Sequence, residues 1–116
     1  MSRDSRLYLA DIMEAIRRVR LLTEGMDRDL FQLDWKVQDA TLRNLEILGE
    51  AVKHLPVEET ALHPEVAWKN IAGFRDFLAH AYFGVDEDIV WNIITTKLDP
   101  LEAATSALIR RMAQHP

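Results

Sequence analysis

Between Trp35 and Leu55, core-compatible side chains recur at Val37, Thr41, Leu45, Leu48, Val52 and Leu55, in steps of four, four, three, four and three residues. Steps of three and four belong to an α-helix with one face turned inward, because a turn takes 3.6 residues; a half-buried strand would repeat every second residue. The pattern lasts nearly six turns, to Pro56, which ends it. A single amphipathic helix of that length cannot bury its stripe alone, so the rest of the chain must supply partner faces. Gly49, in the middle of the stripe, costs about 1 kcal/mol relative to Ala. Either it is simply tolerated, or a neighbouring helix crosses close to it.

The other segments supply such faces. From Asp4 to Leu22, Leu9, Ile12, Met13, Ile16 and Val19 keep helical spacing, and Gly25 is a C-terminal cap candidate. Asp27–Leu33, with Leu30 and Phe31, reads as one or two turns. A third pattern opens at Pro64 and Glu65, residues suited to a helix N-terminus, and runs through Ala67, Ile71, Phe74, Leu78 and Ala81 to Gly84. Asp86 can cap a further helix with Ile89, Val90, Ile93 and Ile94 inward. Asp99-Pro100-Leu101-Glu102 resembles a capping box, followed by a stripe of Leu101, Ala104, Leu108 and Met112. No segment alternates as a strand does and none repeats. The expectation is one all-α bundle of five to six helices over residues 1–116.

Composition narrows the function classes. With no cysteine, disulfides, thiolate metal sites and cysteine nucleophiles are excluded. No apolar run approaches the roughly 20 residues of a membrane span, and Met1–Leu7 lacks the apolar stretch of a signal peptide, so a cytoplasmic protein without membrane contact is expected. Fourteen Lys and Arg against nineteen Asp and Glu give a formal net charge of -5. That excludes a surface coated in basic residues. The charge is uneven: through Leu22, five arginines (Arg3, Arg6, Arg17, Arg18, Arg20) face three acidic residues, a local excess of two positive charges.

Among the histidines, His63 and His115 flank helix ends and read as structural. Glu46, Glu50 and His54 fall at i, i+4 and i+8 on one face, which invites a metal reading. The outer two lie about 12 Å apart along the axis, so one ion cannot take all three, and a charged helix face explains them more simply. No metal and no cofactor are expected.

Residues 73–86 are different. Within eight residues they hold Arg75, Asp76, His80 and Tyr82, a permanent cation, a carboxylate, an imidazole and a phenol. An arginine can grip a phosphate bidentately and oppose charge that builds up in a transition state. A histidine can move a proton near neutral pH. Those are the requirements of metal-free phosphodiester chemistry. On spacing alone, an Arg–Asp surface pair beside a core histidine is the simpler reading. On an ideal helix Arg75 and Tyr82 share a face, whereas His80 is rotated from Arg75 by roughly 140°. The helix must loosen before Gly84, or the arginine must wrap round, or two protomers must pool one site.

Arg75-Asp76-Phe77-Leu78-Ala79-His80-Ala81-Tyr82 resembles the R-x4-H-x-Y motif of the HepT-like toxins of the HEPN superfamily. Leu45-Glu46-Ile47-Leu48-Gly49-Glu50-Ala51 is similar to that family's L-E-x-x-G-E-A helix, and Trp68–Arg75, Tyr82–Asp86 and Ile89-Val90-Trp91 are similar to its flanking segments. The resemblance covers about Val37 to Leu101, and the ordered set is far more specific than R-x4-H alone. It implies a HEPN-like helical bundle, a homodimer and a metal-independent endoribonuclease toxin that acts on RNA. Arg75 would hold the scissile phosphate, and His80 would serve as general acid or base. Asp76, where many relatives carry Asn, would support Arg75. Tyr82 matches the position that a cognate nucleotidyltransferase antitoxin modifies with AMP. The alternative is a non-catalytic substrate- or nucleotide-binding subunit that partners a minimal nucleotidyltransferase. A plain dimerisation scaffold, with Trp35 and Trp68 at its interface, is a third reading.

Overall fold

The computed structural model describes residues 4–74, 76 and 87–115. Among the described residues every regular element is a helix: α1 (Ser5–Thr23), α2 (Arg28–Leu33), α3 (Trp35–Lys53), α4 (Val57–Thr60), α5 (Trp68–Ala72), α6 (Glu87–Thr96) and α7 (Leu98–Gln114). The all-α bundle expected from the sequence is present. Short polar residues set the boundaries of its first three helices. The Asp4 carboxylate accepts from the Arg6 amide, that of Asp27 from Leu30, and that of Asp34 from Val37, so each satisfies an amide that the first turn leaves without a partner. Gly25, just past the end of α1, has φ +75°, the left-handed conformation that a residue without Cβ adopts freely. Gln38 seals the α2–α3 junction, its amide donating to the Phe31 and Gln32 carbonyls at 2.7 and 2.9 Å.

The long helices pack side by side. α1 lies along α3 and also packs on α7, while α5 rests on α3 and α6 on α2 and α7. Tyr8, near the start of α1, stacks on His54 at the end of α3, so these two helices are antiparallel. The stripe of α3 behaves as its period requires: Thr41, Leu45, Leu48, Val52 and Leu55 are buried and Val37 packs partly buried against the core. Leu9, Ile12, Ile16 and Val19 of α1 and Leu98, Leu101 and Leu108 of α7 complete the same interior. Each fully enclosed aliphatic side chain there contributes about 2 kcal/mol of burial. Gly49 is buried in α3, and Thr41 and Thr105 bring hydroxyls into the core that have no hydrogen-bond partner among the described residues.

Four expectations are corrected. The pattern opening at Pro64 does not start a helix there: α5 begins at Trp68, whose indole Nε1 donates to the His63 carbonyl at 2.9 Å and closes the Pro64–Val66 stretch into a turn. Val66 is buried in place of Ala67, which is exposed. Between α3 and α5 the single turn α4 forms directly after Pro56, with Glu58 and Glu59 in its first turn, where carboxylates suit the helix dipole. Asp99 does not cap α7. Lys97 takes that place, Pro100 sits harmlessly within the first turn, and the Asp99 carboxylate instead binds Arg20 at 2.6 Å. Ile89, expected inward, is 46% exposed, whereas Val90, Ile93 and Ile94 are buried. Leu78, Ala81, Gly84 and the Asp86 cap lie outside the described residues.

Candidate active site

The R-x4-H-x-Y segment is bracketed by two anchored elements. On its N-terminal side, Ile71 and Phe74 are buried and Trp68 is pinned by its indole bond, so α5 is itself held in place. On its C-terminal side, the first turn of α6 is tied to α2. The Gln32 amide donates to the Asp88 carboxylate at 3.1 Å, Arg28 lies 3.5 Å from the same oxygen, and Phe31 packs against Trp91 with ring centroids 5.4 Å apart. Between α5 and α6 a groove of about 240 Å³ carries Asn70, Phe74, Ile89, Asn92 and Lys97, which explains why Ile89 is not enclosed. Asp76 is helical and exposed. Arg75, His80 and Tyr82 lie outside the described residues.

The remaining sequence candidates are resolved side by side. His54 does not join a metal site with Glu46 and Glu50. Its Nε2 lies 3.2 Å from a Glu50 oxygen and its ring stacks on Tyr8, with centroids 4.9 Å apart and planes 12° from parallel. Among the described residues no group of three or more His, Asp or Glu side chains could hold a metal ion. His63 is structural: Nδ1 faces Glu65 at 3.0 Å while its carbonyl receives the Trp68 indole. The Glu65 carboxyl is held below its ordinary range, first by its own backbone amide and then by His63. His115 ends α7, its amide donating to the Arg111 carbonyl.

Among the described residues, each arginine of the N-terminal segment lies against a carboxylate. Glu14 receives Arg17 and, at 3.1 Å, Arg18; Arg20 binds Asp99 and stands 3.5 Å from Glu102. Hydrogen bonds from the two arginines hold the Glu14 carboxyl down at about 2, and the side chain of Arg6 does the same for Asp4. Arg43 behaves differently. Its exposed side chain makes no ion pair among the described residues, and neither does its neighbour one turn on, Glu46. Both line a groove of about 230 Å³ between α1 and α3, together with Tyr8, Asp11 and Glu50. Sequence reasoning missed this groove, because Tyr8 and Arg43 meet only through the α1–α3 packing and no local pattern links them.

A family model for HepT-like ribonucleases matches residues 12–108, from the middle of α1 to the last buried turn of α7. The chain belongs to the HepT-like ribonuclease family. The matched span contains the whole of residues 73–86, and membership assigns the chain ribonuclease chemistry. Among curated relatives of this HepT-like chain, "Putative RNase MJ0127" of Methanocaldococcus jannaschii is 42% identical over 96 residues, covering 83% of this chain and 79% of that one. "Probable ribonuclease HepT" of Thermococcus cleftensis is 41% identical over 102 residues, covering 88% and 93%. "Putative RNase TTE0752" of Caldanaerobacter subterraneus is 38% identical over 106 residues, covering 91% and 95%. No solved structure gives a significant match. No helix among the described residues is long and apolar enough to cross a membrane.

Proposed function

We propose that this HepT-like ribonuclease is a metal-independent endoribonuclease toxin of a two-gene toxin–antitoxin pair, acting as a homodimer in the cytoplasm. The observation that carries this reading is the ordered set Arg75, His80 and Tyr82 inside the span that matches the family model. Arg75 grips the scissile phosphate and opposes the charge that accumulates on its oxygens. His80 takes the proton of the 2′-hydroxyl or delivers one to the leaving 5′-oxygen. The 2′-oxygen attacks phosphorus, the P–O5′ bond breaks, and the products are a 2′,3′-cyclic phosphate and a free 5′-hydroxyl. Asp76 orients Arg75. In a homodimer two copies of the motif can pool their groups at one cleft, which relieves the roughly 140° offset between Arg75 and His80 on an ideal helix.

Regulation falls on Tyr82. A cognate nucleotidyltransferase antitoxin joins the Tyr82 phenol oxygen to the α-phosphate of ATP, and pyrophosphate leaves. The added AMP brings bulk and negative charge, which repel an RNA backbone without a bound inhibitor. Expression of the chain alone is expected to arrest growth, and Arg75→Ala or His80→Ala to relieve the arrest. Retained toxicity in both variants would contradict the catalytic assignment. Intact-mass analysis of protein made with its genomic neighbour is expected to show an AMP-sized increment on Tyr82. A chain that binds the neighbour's product but never cuts RNA, even unmodified, would mark a non-catalytic subunit instead.

A further inference from the structure

Two grooves meet over α5, and no carboxylate lines either of them, whereas the groove between α1 and α3 carries Asp11, Glu46 and Glu50. The first, of about 380 Å³, runs along the N-terminal side of α5 past Thr60, Pro64, Trp68 and Lys69. The second is the α5–α6 groove of about 240 Å³, with Phe74, Ile89, Asn92 and Lys97. Ala67 and Asn70 line both. The lysines of the chain are Lys36, Lys53, Lys69 and Lys97, and one stands in each groove, exposed and without an ion pair among the described residues. Glu65, beside Pro64 in the chain, faces His63 instead. An ammonium group with no carboxylate against it is a point charge open to phosphate. Asn70 makes no side-chain hydrogen bond among the described residues, and the Asn92 carboxamide oxygen accepts from the Thr96 hydroxyl at 2.9 Å. Both therefore keep amide hydrogens to donate to a base edge, over an apolar floor of Ile71, Phe74 and Ile93. Phe74 is bonded directly to Arg75, and consecutive Cα atoms lie about 3.8 Å apart, so the second groove begins at the residue before the motif arginine.

We infer that the two grooves form one path for single-stranded RNA across α5, with Lys69 and Lys97 each on a phosphate and Asn70 and Asn92 against a base. The inference rests on the ribonuclease reading for its ligand, but binding and cutting can be separated, because the path holds the strand and takes no part in the bond-breaking step. It also shows how a chain of net charge -5 can engage RNA: the positive charge needs to be local to the groove that the backbone follows, not spread over the surface.

The test uses the full-length chain and two probes, a 2′-O-methyl RNA oligonucleotide that cannot be cleaved and an unmodified one of the same sequence. Lys69→Gln and Lys97→Gln are each expected to weaken binding of the uncleavable probe by about threefold, the scale of one exposed ionic contact. Each should also flatten the slope of log affinity against log salt by about 0.7, the release from one single-strand phosphate, and the double variant by about twice that. Asn70→Asp, nearly the same shape, puts a carboxylate where the grooves meet and should weaken binding by about tenfold. All four side-chain positions are on exposed or groove-lining surface, so melting temperatures should stay near that of the parent. With the cleavable probe, the losses from the lysine variants should appear in KM with kcat almost unchanged. Lys53→Gln removes an exposed lysine that lines neither groove and should leave affinity and slope as they are. The path is overturned if either groove lysine can be removed with an unchanged salt slope, if Asn70→Asp binds like the parent, or if Lys53→Gln loses as much as the groove variants. Failure of the parent to bind RNA at all would also overturn it. A chain that binds the uncleavable probe through Lys69 and Lys97 yet cuts nothing would keep the path and reject the nuclease reading.

Discussion

The arginines of α1 and the single arginine at the middle of α3 carry the same charge and do opposite things. Arg17, Arg18 and Arg20 each lie against a carboxylate, Glu14 for the first two and Asp99 for the third, so these guanidinium groups are engaged within the fold. Arg43 has no such partner among the described residues and stands at a groove with an aromatic wall. Counting charges along the chain directs attention to α1. Counting pairs in the fold directs it instead to Arg43 of α3 and to Arg110 and Arg111 of α7, which make no ion pair among the described residues. A guanidinium already bonded to carboxylate has little left to offer a phosphate, so the two groups differ in what they could offer RNA.

The comparison can be broken or sharpened by removing one arginine at a time. The largest effect is expected at Arg75, which belongs to neither group: Arg75→Ala should lower RNA cleavage by about a hundredfold or more, with circular dichroism and melting temperature near those of the parent. Next comes Arg43→Gln, which removes an exposed, unpaired charge and should raise KM for RNA by at most about fivefold with kcat almost unchanged. Arg20→Gln should leave cleavage and its salt dependence unchanged and lower stability in urea by at most about 1 kcal/mol, since its partners Asp99 and Glu102 stay hydrated. An Arg20→Gln variant that loses RNA affinity would erase the division between the two groups.

The smallest expected effect concerns pH. Glu14 and Asp4 have folded-state pKa values near 2, below their ordinary 4.5 and 3.8. A carboxyl depressed on folding adds stability that is complete above its unfolded pKa and is lost as pH falls through the folded one. Acid melting curves should therefore lose this contribution between about pH 4.5 and pH 2, and Glu14→Gln should shallow the pH dependence in that window. An unchanged slope would show that the α1 arginines are not engaged as described. Away from the charges, Thr105→Val should raise stability by about 1 kcal/mol, because the buried hydroxyl has no partner among the described residues to lose.

The helices were legible where periodicity and caps agreed. The Val37–Leu55 stripe, the α1 stripe and the left-handed Gly25 all follow from residues within a few positions of one another. Legibility failed where a distant group intervened. Asp99 carries every local mark of a cap, yet Arg20, 79 positions away, takes its carboxylate. Pro64 is a good first helical residue, but the Trp68 indole folds the chain back to the His63 carbonyl before a helix can begin. The motif Arg75-x4-His80-x-Tyr82 was legible as a family resemblance, and only in company with its flanking segments, since spacing alone favours a surface ion pair. The Tyr8–Arg43 groove was not legible, because it exists only once two helices 19 residues long lie antiparallel.

The central claim is metal-independent cleavage of RNA by Arg75 and His80. It is tested most directly by incubating purified, unmodified protein with single-stranded RNA in excess chelator and determining the chemistry of the new ends. Cleavage that leaves 2′,3′-cyclic phosphates or their hydrolysis products, undiminished by the chelator and absent in His80→Ala, is the predicted result. Cleavage that stops when divalent ions are removed, or that persists in His80→Ala, would contradict it.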